Sequence, residues 1–313
     1  MTPEPPGPLD PPLDAEVAAR VSHLEGVTVE RYFAEGLPDA PPVPDVPDLA
    51  SVDIDDRTVR TPHGEVPVRR YRRRGSHGRR PAVVWCHGGG WGLGNLDMVE
   101  SHVVAQRVAD ALDATVVTVG YGLAPDHPYP IPQDQIRAAF EATGDDPAVD
   151  PERVVLGGAS AGGHLAACVA HALARDGRPP RAAFLAYPVT DPLRGPYPTA
   201  RFAPCPELIW FDRPKITELF ARHAGEMPPP PGSVPMDLPT DRMPPMLVTS
   251  VPLDGLGPQA AAYATKLRAD GVDIEHHEVA GVLHGYLDMV GTVALADAAL
   301  SRHLDWLGEQ LAG

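Results

Sequence analysis

Residues 154–164 read Val-Val-Leu-Gly-Gly-Ala-Ser-Ala-Gly-Gly-His, and they decide the fold. An apolar run ends in a glycine-rich turn, and an alanine-rich stretch with helical spacing follows. Gly158, Ser160 and Gly162 make a G-x-S-x-G pattern at the junction. A serine at the tip of a sharp strand-to-helix turn needs a strained backbone, and small neighbours let the turn close. The turn also aims a helix N-terminus at the hydroxyl, where developing negative charge is favoured. The plainer alternative is an ordinary glycine-rich turn. A phosphate-binding loop is excluded, because no Gly-Lys-Ser/Thr follows.

Working outward, similar short apolar runs occupy 82–86, 115–119, 153–156, 182–187 and 246–250, followed by 273–279. Continuous apolar runs of this length mark strands covered on both faces. Helical spacing lies between most of them, at 102–112, 133–143, 162–175, 258–269 and 293–311. In the last, Leu300, Leu304, Leu307 and Leu311 form one stripe, which leaves His303 off it. This alternation predicts an α/β fold with a mostly parallel sheet and helices on both sides. Before it, 51–60 and 66–72 alternate apolar and polar residues around His63-Gly64, an expected antiparallel hairpin. Val17, Val21 and Leu24 share a helical face within 13–37.

The 39 prolines cluster. Residues 1–12 read as a mobile arm, 38–48 as an extended linker, and 227–245 as a long surface loop. The expected organisation is an arm and cap segment over 1–50 and a catalytic domain over 51–313.

The 313 residues carry 26 Lys+Arg against 42 Asp+Glu, a formal charge of −16. That balance excludes nucleic acid and anionic membrane as main partners, since both require a basic footprint. The arginine-rich run 69–74, with Arg79 and Arg80, reads as a solvated strand edge and loop. Cys86, Cys168 and Cys205 are too irregularly spaced for zinc or a disulfide framework; the first two read as small core residues. The N-terminus lacks the pattern of a secretory leader, and no apolar run reaches the ~18 residues of a membrane span. The expectation is a soluble cytoplasmic protein.

A second chemical feature is His87-Gly88-Gly89-Gly90-Trp91, directly after the run ending at Cys86. Three consecutive glycines cost conformational entropy, so backbone must approach something there. An oxyanion hole is such a requirement, with N–H groups converging on one oxygen; one donor is worth about 2.7–4 kcal/mol of barrier. Gly89, Gly90 and Ala161 are the expected donors, with Gly88 a lesser candidate; a flexible loop is the alternative.

A serine alcohol needs a base. Among the thirteen histidines, His284 stands in a tight loop, Gly281-Val282-Leu283-His284-Gly285-Tyr286, just after a strand. His276 and His277 instead sit inside the strand pattern. Asp254, four residues beyond the run ending at Ser250, is the one carboxylate between Arg242 and Ala269. A helix cap is its alternative role.

The order Ser160, Asp254, His284 is that of the α/β-hydrolase triad. The chain resembles the hormone-sensitive-lipase-like branch of the α/β-hydrolases, which includes bacterial carboxylesterases and acetyl hydrolases. Residues 87–91 resemble its HGGGW signature, 158–163 its G-D-S-A-G-G elbow, and 121–130 (YGLAPDHPYP) its Y-R-L-A-P-E-H-P-F-P stretch. Residues 254–257 resemble D-P-L-R, and 283–286 resemble I-H-G-F. The resemblance covers roughly 50–311. It implies an α/β-hydrolase fold with a helical cap built from the N-terminal segment and an insertion around 190–230. It also implies a serine carboxylester hydrolase for short-acyl, acetyl-type esters, with no metal or organic cofactor, and leaves monomer and homodimer open. Pairing of sheet edges through 181–187 or 273–279 would make the dimer.

The departures are specific. Ala159 stands where the family has Asp or Glu, which removes a hydrogen bond that braces the active-site loops. Gly122 replaces Arg, Gly255 replaces Pro, and Asp126 replaces Glu. The paired changes at 159 and 122 suggest co-adjusted surroundings. With 24 Arg to 2 Lys, typical of a GC-rich bacterial genome, they leave a natural-product tailoring enzyme (acyl transfer, ester elimination or cyclisation) as the alternative. A non-catalytic small-molecule receptor ranks below both.

Overall fold

The computed structural model describes residues 12–28, 31, 46–198, 202 and 205–312. The arm over 1–12 and the linker over 38–48 therefore lie outside the described residues, apart from Pro12 and 46–48.

Eight strands form one sheet: β1 (Val52–Thr61), β2 (Gly64–Arg73), β3 (Arg80–Cys86), β4 (Thr115–Val119), β5 (Val149–Ala159), β6 (Ala183–Ala186), β7 (Met246–Ser250) and β8 (Ile274–Glu278). Their order is β1-β2-β4-β3-β5-β6-β7-β8. The β1–β2 and β2–β4 pairs are antiparallel, and every pair from β4 to β8 is parallel. The hairpin turns at Thr61↔Gly64, where the sequence places it.

Among the described residues, helices α1 (Ala15–Val21), α2 (Val99–Leu112), α3 (Ile131–Gly144), α4 (Ala161–Arg175), α5 (Arg213–Ala224), α6 (Gly257–Ala269) and α7 (Ala294–Leu311) accompany the sheet. Alternation along β3 shows the layering. Val83 and Trp85 join the cluster with Val103, Val104, Leu300 and Leu307 of α2 and α7. Ala82, Val84 and Cys86 face the cluster with Ile136, Leu165 and Tyr263 of α3, α4 and α6. Both faces are thus buried, which is why the central strands carry unbroken apolar runs. Val17, Val21 and Leu24 are buried together in the first cluster, as their shared face requires.

Three expectations need correction. Residues 181–187 are no sheet edge, because β6 lies between β5 and β7; of the two stretches, only 273–279 is an edge, as β8. The arginine run is likewise no edge: β2 is the second strand, covered by β1. Arg69 bonds Asp56 (2.6 Å) and Arg70 bonds Asp55 (3.0 Å), so this basic charge is spent on carboxylates of β1. Finally, His303 is fully buried rather than turned from the core. Its Nε2 meets the Tyr286 hydroxyl at 2.8 Å and its Nδ1 meets His277 Nδ1 at 3.3 Å. A polar residue off a leucine stripe reads as exposed, but this one has partners to bury it with.

The insertion around 190–230 contains a helix that the sequence reading does not resolve, α5. Asp212 caps it, accepting the Lys215 N–H at 3.0 Å, and Pro214 lies in its first turn. Among the described residues no helix is long and apolar enough to cross a membrane, and no cluster of three or more His, Cys, Asp or Glu could hold a metal.

Burial lowers the pKa of His87, His164 and His171 to about 4 each, and that of His303 to about 3. An unfolded chain protonates these groups near 6.5, whereas the folded chain does not until pH 4 or below. Protons therefore favour the unfolded state across that window, and stability present above pH 6.5 is lost as pH falls toward 4. The midpoint of thermal unfolding is expected to fall by about 5 °C or more between pH 7 and pH 5. A flat profile in scanning fluorimetry would contradict this.

Candidate active site

The chemistry-bearing loops all emerge from the carboxyl ends of parallel strands, where open α/β sheets bind ligands. Ser160 follows β5 directly, at φ 53° and ψ −118°. Its N–H donates to the Ala186 carbonyl (2.9 Å), and its own carbonyl accepts the His164 N–H (3.0 Å), starting α4. A non-glycine residue in this region costs of order 1–3 kcal/mol, so the surroundings must impose it. They do so by contact. A β-carbon at Gly158 would sit 2.5 Å from the Gly162 carbonyl oxygen, and one at Gly162 would overlap the carbonyl oxygens of both Cys86 and His87. Glycine at these positions lets the turn lie flat against the end of β3.

The structure brings the three widely spaced candidates together. His284 Nε2 lies 2.8 Å from Ser160 Oγ, and His284 Nδ1 lies 2.6 Å from Asp254 Oδ2. Asp254 is 1 % exposed, Ser160 8 % and His284 9 %. An ionised Asp254 can only accept, so Nδ1 carries a proton and Nε2 is left to accept from the serine hydroxyl. The helix-cap alternative does not hold, since Leu256 is the N-cap of α6 and no side chain caps it; Asp254 Oδ1 instead accepts the Leu256 N–H at 2.9 Å, closing a turn ahead of the helix. One carboxylate thus fixes both the loop after β7 and the imidazole. Tyr187 (5.0 Å between centroids) and Phe211 (4.7 Å) meet the His284 ring edge-to-face.

The glycine loop lies beside Ser160. Gly89 has φ +106°, and a β-carbon there would overlap the Leu93 carbonyl. Among the described residues, the amides of Gly89 and Gly90, and that of Ala161 at the start of α4, donate to no acceptor. Gly88 differs, because its N–H already donates to Glu100 Oε1. The lesser candidate among the donors is therefore engaged elsewhere.

Glu100 escapes the sequence reading, which places α2 two residues beyond it. Glu100 is 2 % exposed, and its carboxyl group takes two donors, the Gly88 N–H and the Tyr187 hydroxyl (2.8 Å). Its own N–H donates to Asp288 Oδ1 (3.0 Å). Burial, and then the neighbouring Asp288 carboxylate, push its pKa up to about 8. This residue supplies the brace whose loss Ala159 implies, from α2 instead of the elbow. The available signal was the missing acid itself: an absent carboxylate among buried donors predicts another nearby. At the other departure, a β-carbon on Gly122 would lie 2.6 Å from the His127 ring, which fills the space beside it.

Comparison with known proteins places the chain among esterases of one fold family. The family described as alpha/beta hydrolase fold matches residues 83–288. Carboxylesterase NlhH of Mycobacterium tuberculosis is 34 % identical over 292 residues, covering 90 % of this chain and 88 % of its own length. Ethyl acetate hydrolase of Pseudomonas putida is 29 % identical over 305 residues, covering 92 % and 91 %. Among solved structures, a bacterial heroin esterase superposes with a TM-score of 0.78 at 26 % identity, over 96 % of this chain and 98 % of its own.

Truncation at Glu100 leaves the Gly88 N–H and the Tyr187 hydroxyl buried without an acceptor, at about 1–3 kcal/mol each. Glu100→Ala is therefore expected to lower the urea midpoint of unfolding clearly, and Tyr187→Phe to lower it less. Equal midpoints for wild type and Glu100→Ala would contradict the bracing role.

Proposed function

We propose a reaction for a chain that belongs to the α/β-hydrolase family: it cleaves carboxylic esters of short acyl acids through an acyl-enzyme on Ser160. The observation that carries this reading is the hydrogen-bonded chain Ser160–His284–Asp254, at 2.8 and 2.6 Å, beside amides that have no other acceptor among the described residues.

Ser160 Oγ attacks the ester carbonyl carbon as His284 Nε2 takes the hydroxyl proton. The positive charge that then develops on the imidazole lies against buried Asp254, which holds the tautomer and stabilises the cation without itself taking the proton. The carbonyl oxygen becomes an oxyanion that accepts hydrogen bonds from the N–H groups of Gly89, Gly90 and Ala161. The start of α4 adds its favourable dipole there. Collapse expels the alcohol, with His284 returning the proton to the departing oxygen. A water molecule then gives a proton to the same nitrogen as it attacks the acyl carbon, and collapse breaks the bond to Ser160 Oγ, which takes that proton back from His284 as the acid leaves.

Preorganisation is the physical gain. The donors are held by backbone contacts and the imidazole by Asp254, Tyr187 and Phe211, all already in place in the free protein, so little reorganisation is needed as charge develops. One further point supports short acyl groups: a relative of nearly full coverage is an ethyl acetate hydrolase.

Ser160→Ala is expected to lower kcat on p-nitrophenyl acetate by at least about 10³-fold, and Asp254→Asn by about 10⁴-fold, with little change in KM. Turnover by Ser160→Ala at the wild-type rate would overturn the assignment.

A further inference from the structure

The chain has two lysines against 24 arginines, and Lys215 shows what an arginine could not do. Its ammonium donates to three backbone carbonyls, those of Glu207 (3.3 Å), Leu208 (2.7 Å) and Trp210 (3.2 Å). It also stands over the Phe211 ring, 4.7 Å from the centroid. Three tetrahedral N–H donors on a compact head can converge on three carbonyls, whereas the planar guanidinium fork is shaped for two parallel acceptors. The carbonyls belong to the short 3₁₀ turn Glu207–Ile209 and the residue that ends it. Lys215, in the first turn of α5, thus clamps the segment that leads into its own helix.

Gly255 is the second observation. A β-carbon there would overlap the Phe211 carbonyl, so the 210–212 backbone rests directly on the loop after Asp254. The proline of the related D-P-L-R pattern would hold the segment away. The third observation is the Phe211 ring itself, which ends edge-to-face on His284, 4.7 Å between centroids. Clamp, seat and ring are independent features, and they fix one aromatic side chain against the imidazole.

What that ring meets follows from the chemistry. The departing alcohol oxygen must come within hydrogen-bond reach of His284 Nε2 to collect its proton. A side chain packed on His284 therefore borders the alcohol portion of the ester. The carbonyl oxygen lies toward the glycine loop, which Leu219 of α5 covers, 3.3 Å from where a β-carbon of Gly90 would stand.

We propose that Phe211, clamped by Lys215 and seated on Gly255, is a specificity-determining residue that limits the bulk of the ester's alcohol. This rests on the hydrolase reading above and adds which half of the substrate is selected and by which residue. Phe211 is partly exposed, so its truncation leaves no large internal void.

The test measures kcat/KM for the full chain on two series. In the first the acyl group is acetyl and the alcohol grows from phenol to 1-naphthol. In the second the alcohol is p-nitrophenol and the acyl group grows from acetyl to hexanoyl. Phe211→Ala is expected to raise the naphthyl-to-phenyl ratio about tenfold, while the hexanoyl-to-acetyl ratio moves by less than about twofold. Lys215→Met is expected to shift the first ratio in the same direction and to add little to Phe211→Ala in the double variant. Lys215→Arg should not restore the wild-type ratio. Phe211→Ala that leaves the first ratio unchanged, or moves the second one instead, overturns the proposal while leaving the hydrolase intact. A wild-type chain that hydrolyses none of these esters overturns the hydrolase reading and this proposal with it.

Discussion

Everything at this site depends on one backbone contact. The first turn of α4 at Gly162 lies against the carbonyl groups of Cys86 and His87, closer than any β-carbon would permit, and Gly158 lies equally close beneath it. That contact joins the end of β5 to the end of β3. It sets the serine turn beside the glycine loop and holds Ser160 in its unfavourable backbone conformation. The site is built from main chain first, and side chains are added to a framework that is already closed.

Carboxylates then divide the remaining work according to their surroundings. Asp254 satisfies a loop amide with one oxygen and the imidazole with the other, so orientation of His284 follows from the packing of the β7–α6 loop. Glu100 collects an amide from the glycine loop and a hydroxyl from Tyr187, whose ring in turn packs on His284. Through Glu100 the glycine loop and the imidazole share a support, although the two are far apart in sequence. A buried carboxylate with two donors is costly to disturb, because each donor left behind loses its only partner.

Much of this was legible in the sequence, for a definite reason. Strands buried on both faces leave continuous apolar runs, and β4 and β7 match their expected bounds at both ends. The serine, aspartate and histidine could be chosen because each follows a strand and stands among turn residues. The elements that resisted are those whose burial comes from partners instead of apolar character. His303 is polar yet internal because Tyr286 and His277 receive it. Glu100 looks like a solvent-facing helix residue until the loop it serves is folded beside it. Helix α5 buries Ile216, Phe220, His223 and Ala224 on one face, a short stripe set among Arg213, Lys215, Glu218 and Arg222 that the sequence reading passes over. Its aspartate cap and the lysine clamp become visible only in three dimensions. The edge position did leave a mark: β6 is Ala-Phe-Leu-Ala and wholly buried between its neighbours, whereas β8 is Ile-Glu-His-His-Glu and partly exposed, as the last strand of the sheet.

Residue-resolved labelling with a small fluorophosphonate tests the central claim most directly, because it reads the convergence of serine, base and amides in the folded protein. Peptide mass mapping should place one stoichiometric adduct on Ser160. It should form rapidly in the native chain, far more slowly in His284→Ala, and not in the urea-unfolded chain. An adduct on another residue, or labelling of Ser160 at the same rate with and without His284, would contradict the account.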